Sequence, residues 1–333
     1  YSITINMYST PYKSVCILPD PLNYEFYTNL YKMYDLTHAE MKHAECIIVN
    51  HDTNDDYNRI ARVTYAIHVL KKPMYIMIHD DIPVPHLWNE EHVVMGDKYK
   101  IHEFFAKPER RGRIFVIEGG DGCGKQTQAT LLRRRLEQED YPVKTIDFPN
   151  NERQHGMLIR EILAGSHGDI KNLDPFLFAS LYAQNRWSVK HILNFWITRG
   201  YNIILDRYII SNIAHQGAHE YRNREYVAKQ TELFENEILG LPHANHIIYL
   251  DLPPEVARTA MDKDTTRAAL DQNELAPLEY KNNVRKIYLE QKNTLRRTYD
   301  VVKCMDDDIR ISRKDVHNKI YDIWFDKFVN KHM

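Results

Sequence analysis

Apolar residues in this chain gather into short unbroken runs separated by longer stretches of helical spacing. Three runs fall in the first eighty residues: Ser14–Leu18, 46–50 and Met74–Ile78. Each is bounded by polar residues or proline, the pattern of strands covered on both faces. Between the second and third, Ile60, Val63, Ile67 and Leu70 recur at helical spacing across 57–70, and 30–46 reads as a further helix feeding the second run. Strand–helix–strand order at this spacing predicts a small α/β unit. Residues 82–111 read as a connector broken by Pro83, Pro85 and Pro108. The boundary is expected near Lys107, giving a small α/β (Rossmann-like) domain over 1–106 and a second domain over 107–333.

The second domain repeats the alternation on a larger scale. Strands are predicted at 114–117, Val143–Asp147, Asn202–Asp206 and His246–Asp251, with a fifth near 309–312. A helical run starts at Gln126 and extends towards Glu139, with Leu131, Leu132 and Leu136 inward and Arg133, Arg134 and Arg135 on a solvated face. Strands separated by helices predict a parallel sheet with helices on both faces, its crossovers right-handed. Ligands of such sheets bind at the carboxyl ends of the strands. The segment from Glu118 to Lys125, the pair Phe148-Pro149, the pair Asp206-Arg207, and Asp251 all fall at such ends.

Composition narrows the class. A chain of 333 residues accommodates two ordinary domains, and 43% hydrophobic residues suffice for packed cores. The net charge of −2 gives no global basic field, which argues against nucleic acid as a partner. The four cysteines (Cys16, Cys46, Cys123, Cys304) form no Cys-x-x-Cys pair, as expected of free thiols in a reducing, cytoplasmic setting. No apolar run reaches the length of a membrane span, so no membrane partner is expected. The chain begins at Tyr1 rather than Met, and nothing in its first residues supports secretion.

The chemistry concentrates in the sequence IFVIEGGDGCGKQT, residues 114–127. A strand runs into Gly119-Gly120-Asp121-Gly122-Cys123-Gly124-Lys125 and then a helix, the G-x-x-x-x-G-K phosphate-binding pattern. Glycines let backbone N–H groups close on phosphate oxygens where a Cβ would obstruct them. The following helix turns its positive end to the anion, and the lysine adds a point charge. Gln126 stands where Ser or Thr usually follows the lysine, with Thr127 one place later. At the end of a neighbouring strand, Asp206 is suited to Mg²⁺ or its waters, and Arg207 to a phosphate held bidentately. His215 and His219 are four apart, a zinc-compatible spacing, but the catalytic zinc motif needs Glu where this chain has Gln216. His243 and His246 flank a strand start and read as surface residues.

With these pieces together, residues 112–330 resemble the thymidylate kinase family. EGGDGCGKQTQ resembles its phosphate loop, FPNNERQHGMLIREIL its Phe-Pro segment, LYAQNRW its base-binding helix, DRYIISNIAHQGA its Asp-Arg-Tyr segment and IIYLDLPPEVA its fourth strand. The resemblance implies phosphorylation of dTMP to dTDP by ATP with Mg²⁺, in a homodimer. By the same resemblance, Gly119, Gly122, Cys123, Gly124, Lys125, Gln126 and Thr127 surround the ATP phosphates. Asp121 reaches the acceptor's sugar hydroxyl, and Arg207 grips its phosphate. Tyr182 stacks on thymine while Arg186, four residues later on the same helix face, bonds base O4. Phe148, Arg153, Asn212 and Gln216 complete the dTMP pocket, Asn212 reading the base edge. His215 takes a position, often Tyr in the family, that crowds the sugar's 2′ carbon. Asp206 and Gln126 are the expected Mg²⁺ contacts. Gly122 replaces an arginine that some members carry in the loop, so the resemblance implies a cation from a lid at about 262–273. Arg267 is preferred there over Lys263, with Asp271 and Glu274 on the lid's acidic side.

The tracts HAECIIVN and YAIHVLKKPMYIM, within residues 12–80, resemble the nucleoside 2-deoxyribosyltransferase family. That resemblance leaves two roles open: a deoxyribosyltransferase or hydrolase, and a non-catalytic domain for assembly or regulation. The position expected to carry the nucleophilic Glu is Arg62, which favours the non-catalytic role. For the second domain the rival is a kinase decayed to a nucleotide-binding assembly protein, and joint retention of Lys125, Asp121, Asp206, Arg207 and Arg186 argues against it.

Overall fold

The computed structural model describes residues 10–18, 30–34, 36–51, 57–78, 84–85, 88–97, 99–262, 271–295 and 298–330. The chain divides into two compact units, Tyr1–Arg111 and Gly112–Met333.

The first unit holds a five-stranded parallel sheet in the order β2-β1-β3-β4-β5: β1 Ser14–Leu18, β2 Thr37–His38, β3 Cys46–His51, β4 Met74–Ile78 and β5 Val93–Gly96. The three anticipated strands are present, and their alternate residues Cys16, Leu18, Ile47, Val49, Met74 and Ile76 pack with Val63, Ala66 and Ile67 of the 57–70 helical run. That run is α-helical over Tyr57–Tyr65 and widens into a π turn at Ala66–Leu70. Two expectations are corrected. Residues 30–46 are not one helix: helical residues 30–34 give way to β2, which pairs parallel with Ser14 and Val15, and then to a turn at 41–43. Edge pairing to β1 overrides the local helical tendency there. Residues 82–111 are not a bare connector either, because β5 and the short helix Ile101–Phe105 form there, burying Ile101, Phe104 and Phe105.

The second unit is built on a parallel sheet in the order β10-β9-β6-β8-β7. Its strands are β6 Arg113–Gly119, β7 Val143–Asp147, β8 Asn202–Asp206, β9 His246–Asp251 and β10 Tyr299–Lys303. The glycine-rich strand β6 is central, so its carboxyl end lies between those of β8 and β9. One layer packs Phe115, Ile117, Ile204 and Ile248 against Leu132 and Leu136 of helix Lys125–Gln138, and against Val316, Ile320 and Trp324 of helix Arg313–Phe328. Leu131 is only half-buried; Gln128 and Ala129 take the inward positions beside Leu132 and Leu136. The arginine face is solvated as expected, with Arg133 and Arg135 paired to Glu137 and Glu139 one turn on. The fifth strand is Tyr299–Lys303, not 309–312. Ile309-Arg310 instead pairs antiparallel with Met305-Asp306 in a small β11–β12 hairpin.

Candidate active site

β6 ends at Gly119, and the chain turns through Gly122 (φ 74°) and Gly124 (φ 96°) before helix Lys125–Gln138 begins. The left-handed backbone at both glycines disfavours any residue with a Cβ. At Gly122 an added Cβ would also lie 2.8 Å from Met261 Cγ. Lys125 is nearly buried, and its Nζ donates to Gly120 O at 2.8 Å. Burial pushes the Cys123 thiol up despite nearby Lys125 and Arg207, so it is a packing group rather than a nucleophile. Gln126 and Thr127 are exposed at the first turn of the helix.

Strand β8 delivers the second group of side chains. Asp206 is buried, and its Oδ1 has no hydrogen-bond partner in the protein. Burial pushes its carboxyl up, while Lys125 and Arg207 work against that shift. Arg207 follows with φ 67°, its amide bonded to Ile117 O and its Nη1 to Gly119 O at 3.2 Å. Its Nη2 donates to Asp121 Oδ1 at 2.6 Å. Burial alone would raise the Asp121 carboxyl; Arg207, with Lys125 and His215, outweighs it and holds the group at about 2.

Beneath this pair lies a carboxylate that the motif reading did not use. Glu118 is fully buried and accepts from Tyr208 N (2.8 Å), Ser211 N (3.2 Å), Ser211 Oγ (2.7 Å) and Tyr288 Oη (3.0 Å). It thereby ties the end of β6 to the start of helix Ile209–His219 and to helix Leu278–Thr294. Burial raises its carboxyl, opposed by Ser211, Arg207, Tyr208 and Tyr288.

A solvent-open cleft extends from Asp121. Phe148, Tyr182, Arg186, Arg207, Asn212, His215 and Gln216 all line it with Asp121. Arg153 does not; it is the N-cap residue of helix Gln154–Leu163. Asp271 is on the lining, and Glu274 sits behind it, each accepting the other's backbone N–H. Lys263 and Arg267 lie outside the described residues. Arg186 is buried and does not stand alone: Nε and Nη2 engage Glu235 Oε2 and Oε1 at 2.5 and 2.6 Å.

His215 is held from two sides. Arg207 Nη1 lies 3.4 Å from its Nε2, and Tyr280 Oη lies 3.1 Å from its Nδ1. Guanidinium is a donor only, so Nε2 accepts and Nδ1 carries the proton. Burial, then Arg207 and Lys125, lowers this imidazole to about 3. The His219 ring lies tilted against Tyr280, 4.6 Å between ring centroids, which uses the His-x-x-x-His pair in packing around that tyrosine. Tyr280, Asn273, Ser211 and Glu118 were not singled out from the sequence. Tyr280 has no motif around it, whereas Glu118, an acidic residue inside an apolar strand, offered a readable signal.

A central parallel strand ending in a glycine-rich anion cradle, beside an open cleft lined by Asp121 and Arg207, defines a P-loop kinase fold of the α/β class. The thymidylate kinase family model matches residues 117–316, well over half of the chain. A thymidylate kinase of Clavibacter michiganensis subsp. michiganensis is 33% identical over 54% of this chain and 80% of its own. One of Schizosaccharomyces pombe is 27% identical over 65% and 92%, and one of Danio rerio 29% over 44% and 65%. The match thus spans just under two thirds of the zebrafish protein. The chain belongs to the thymidylate kinase family.

Proposed function

We propose that this chain transfers the γ-phosphoryl group of ATP to dTMP, giving ADP and dTDP. The carrying observation is the shared wall: Asp121 belongs to the phosphate loop and also lines the cleft, where it is bonded to Arg207. A donor held by the loop and an acceptor held in the cleft then meet at that pair. Phosphoryl transfer needs positioning and charge stabilisation more than covalent participation. Lys125 and the N–H groups of Gly122 to Thr127 hold the donor's outer phosphates. Arg207, anchored through Gly119 O and Asp121, presents its guanidinium to the acceptor phosphate. Tyr182 and Arg186 line the part of the cleft that takes the base.

The buried, unpartnered Oδ1 of Asp206 fits a divalent cation or its water, and exposed Gln126 offers a carboxamide oxygen. When bound, Mg²⁺ neutralises phosphate charge at this edge. For the lid cation, Arg267 remains the proposal. Among the described residues Lys281 also stands near Asp121, its ammonium lowered by burial and steadied by Asp121. The expected cytoplasmic location and homodimer belong to this proposal; among the described residues no helix is long and apolar enough to cross a membrane.

For the first unit we infer a non-catalytic role in assembly or regulation. Arg62, at the expected nucleophile position, is exposed on helix Tyr57–Tyr65.

ADP release coupled to an indicator reaction, run across the nucleoside monophosphates, tests the kinase reading. Turnover is expected with dTMP and lost in Lys125→Ala and Asp206→Ala; silence with every pyrimidine deoxynucleotide overturns it.

A further inference from the structure

Glu235 lies 49 residues beyond Arg186 in a helical stretch of no recognisable motif, yet it is fully buried against the cleft's base-side residues. It sits in a π turn, Leu233–Ile238, that follows helix Arg224–Glu232. The wide turn is shown by the bond from Leu239 N to Phe234 O. The Glu235 carboxylate accepts from Nε and Nη2 of Arg186 and also, at 2.9 Å, from Nδ2 of Asn212. Asn212 Nδ2 gives its second hydrogen to Ala179 O at 3.0 Å.

Both of those acceptors lack hydrogens to offer, so the amide of Asn212 has one admissible orientation. Its nitrogen faces Glu235 and Ala179, and its Oδ1, buried and without a partner, is left over. Asn212 and Arg186 both line the cleft. Arg186 Nη1 is the prong not used on Glu235. The groups left uncommitted on these two cleft residues are therefore one donor, Arg186 Nη1, and one acceptor, Asn212 Oδ1.

We propose that Glu235 is a positioning residue that sets base specificity by locking this donor–acceptor order. A 4-oxo pyrimidine offers the complement, an O4 acceptor beside an N3–H donor. A 4-amino pyrimidine offers the reverse, an N4 donor beside an N3 acceptor, and would set donor against donor and acceptor against acceptor. A buried polar group left facing its like is costly, and a site built on hydrogen bonds rejects such a mismatch far more strongly than an apolar pocket rejects a methylene. Glu235 touches neither base nor phosphate in this scheme. It acts by holding the guanidinium plane and, together with Ala179 O, by denying Asn212 the flipped amide. The inference rests on the kinase reading for which ligand occupies the cleft, and it deepens that reading.

The test is calorimetric binding of dTMP and dCMP to the full chain, with ADP release measured in parallel. Wild type is expected to prefer dTMP by at least about 100-fold. In Glu235→Gln the side-chain NH₂ must face an N–H of Arg186 in either orientation, so the guanidinium plane is no longer fixed and Asn212 is left with Ala179 O; the preference should fall below about tenfold. Glu235→Asp keeps the charge for Arg186 and withdraws the carboxylate by one methylene, so it serves if the Gln variant does not fold. The same loss of preference is expected, with the KM for ATP unchanged. A full dTMP preference retained in the folded variant overturns the role of Glu235 alone. Selective binding in wild type with no ADP release overturns the kinase reading alone. Wild type that binds dTMP and dCMP equally overturns the donor–acceptor assignment, whatever the turnover.

Discussion

The guanidinium of Arg207 and the carboxylate of Asp121 meet at 2.6 Å, joining the strand that carries the acceptor cleft to the loop that carries the phosphate cradle. Arg207 also reaches Gly119 O, Ser211 Oγ and His215 Nε2 through its other prong, so its fork is shared among four partners. Lysine cannot reproduce that fork. Arg207→Lys should lower kcat/KM for dTMP by about 10²-fold or more. The KM for ATP should change little, and steady-state kinetics with each substrate varied in turn checks the split.

The neutral His215 makes stability depend on pH in a defined window. Its imidazole is lowered to about 3 in the folded chain, by burial first and then by Arg207, against about 6.5 in the unfolded chain. Between those values the unfolded state binds the proton and the folded state does not, so stability falls as pH falls from about 6.5 towards 3. His215→Gln removes this contribution. The stability difference between wild type and variant should shift steadily against wild type across that range in urea titrations, and a flat difference would exclude the assignment.

Tyr288 Oη donates to Glu118 and lies 2.9 Å from Ser211 Oγ in a fully buried setting. Tyr288→Phe deletes one of the donors to a buried carboxylate while keeping the ring that stacks on Tyr249 at 4.6 Å. A loss of about 1–3 kcal/mol is expected, the range for taking one partner from a buried polar group. Equilibrium urea unfolding measures it, with the m-value unchanged if the effect is local.

Gly156 lies where no side chain fits. An added Cβ would sit 1.9 Å from Asn150 O, whose peptide is clamped on both sides by Asn185: Asn150 N donates to its Oδ1 at 2.7 Å and its Nδ2 donates to Asn150 O at 2.9 Å. Gly156→Ala must open that clamp, just beyond Phe148-Pro149 at the cleft. Overpacking plus a strained hydrogen bond should cost about 3 kcal/mol, which lowers Tm by roughly 6–12 °C in a chain region of this size. Thermal unfolding followed by circular dichroism reads the shift.

The central strands were legible because burial on both faces leaves a continuous apolar run: Asn202–Asp206 and His246–Asp251 stand where their patterns place them. β10 was not. As an edge strand it buries only Tyr299 and Val302, and Asp300 and Lys303 interrupt its apolar run, whereas Ile309 and Ile311 alternate with polar residues as a half-buried strand would. In the site, glycine spacing and the Asp206-Arg207 pair can be read locally because each is one segment with one task. The pairing of Arg186 with Glu235 cannot: Glu232, Glu235 and Glu237 look alike in a sequence, and only packing selects the middle one for full burial.

The π turn at Leu233–Ile238 makes the segment sensitive to its length as well as its residues. Such a turn amounts to one residue inserted into an α-helix. Deleting a single neighbour there would restore ordinary helical winding and rotate Glu235 by about 100° relative to the preceding helix. Every side chain of the cleft could be retained in such a variant, yet Arg186 and Asn212 would lose their common anchor. Relatives sharing all the pocket residues but differing by one residue in this stretch should therefore not be assumed to share the same base preference.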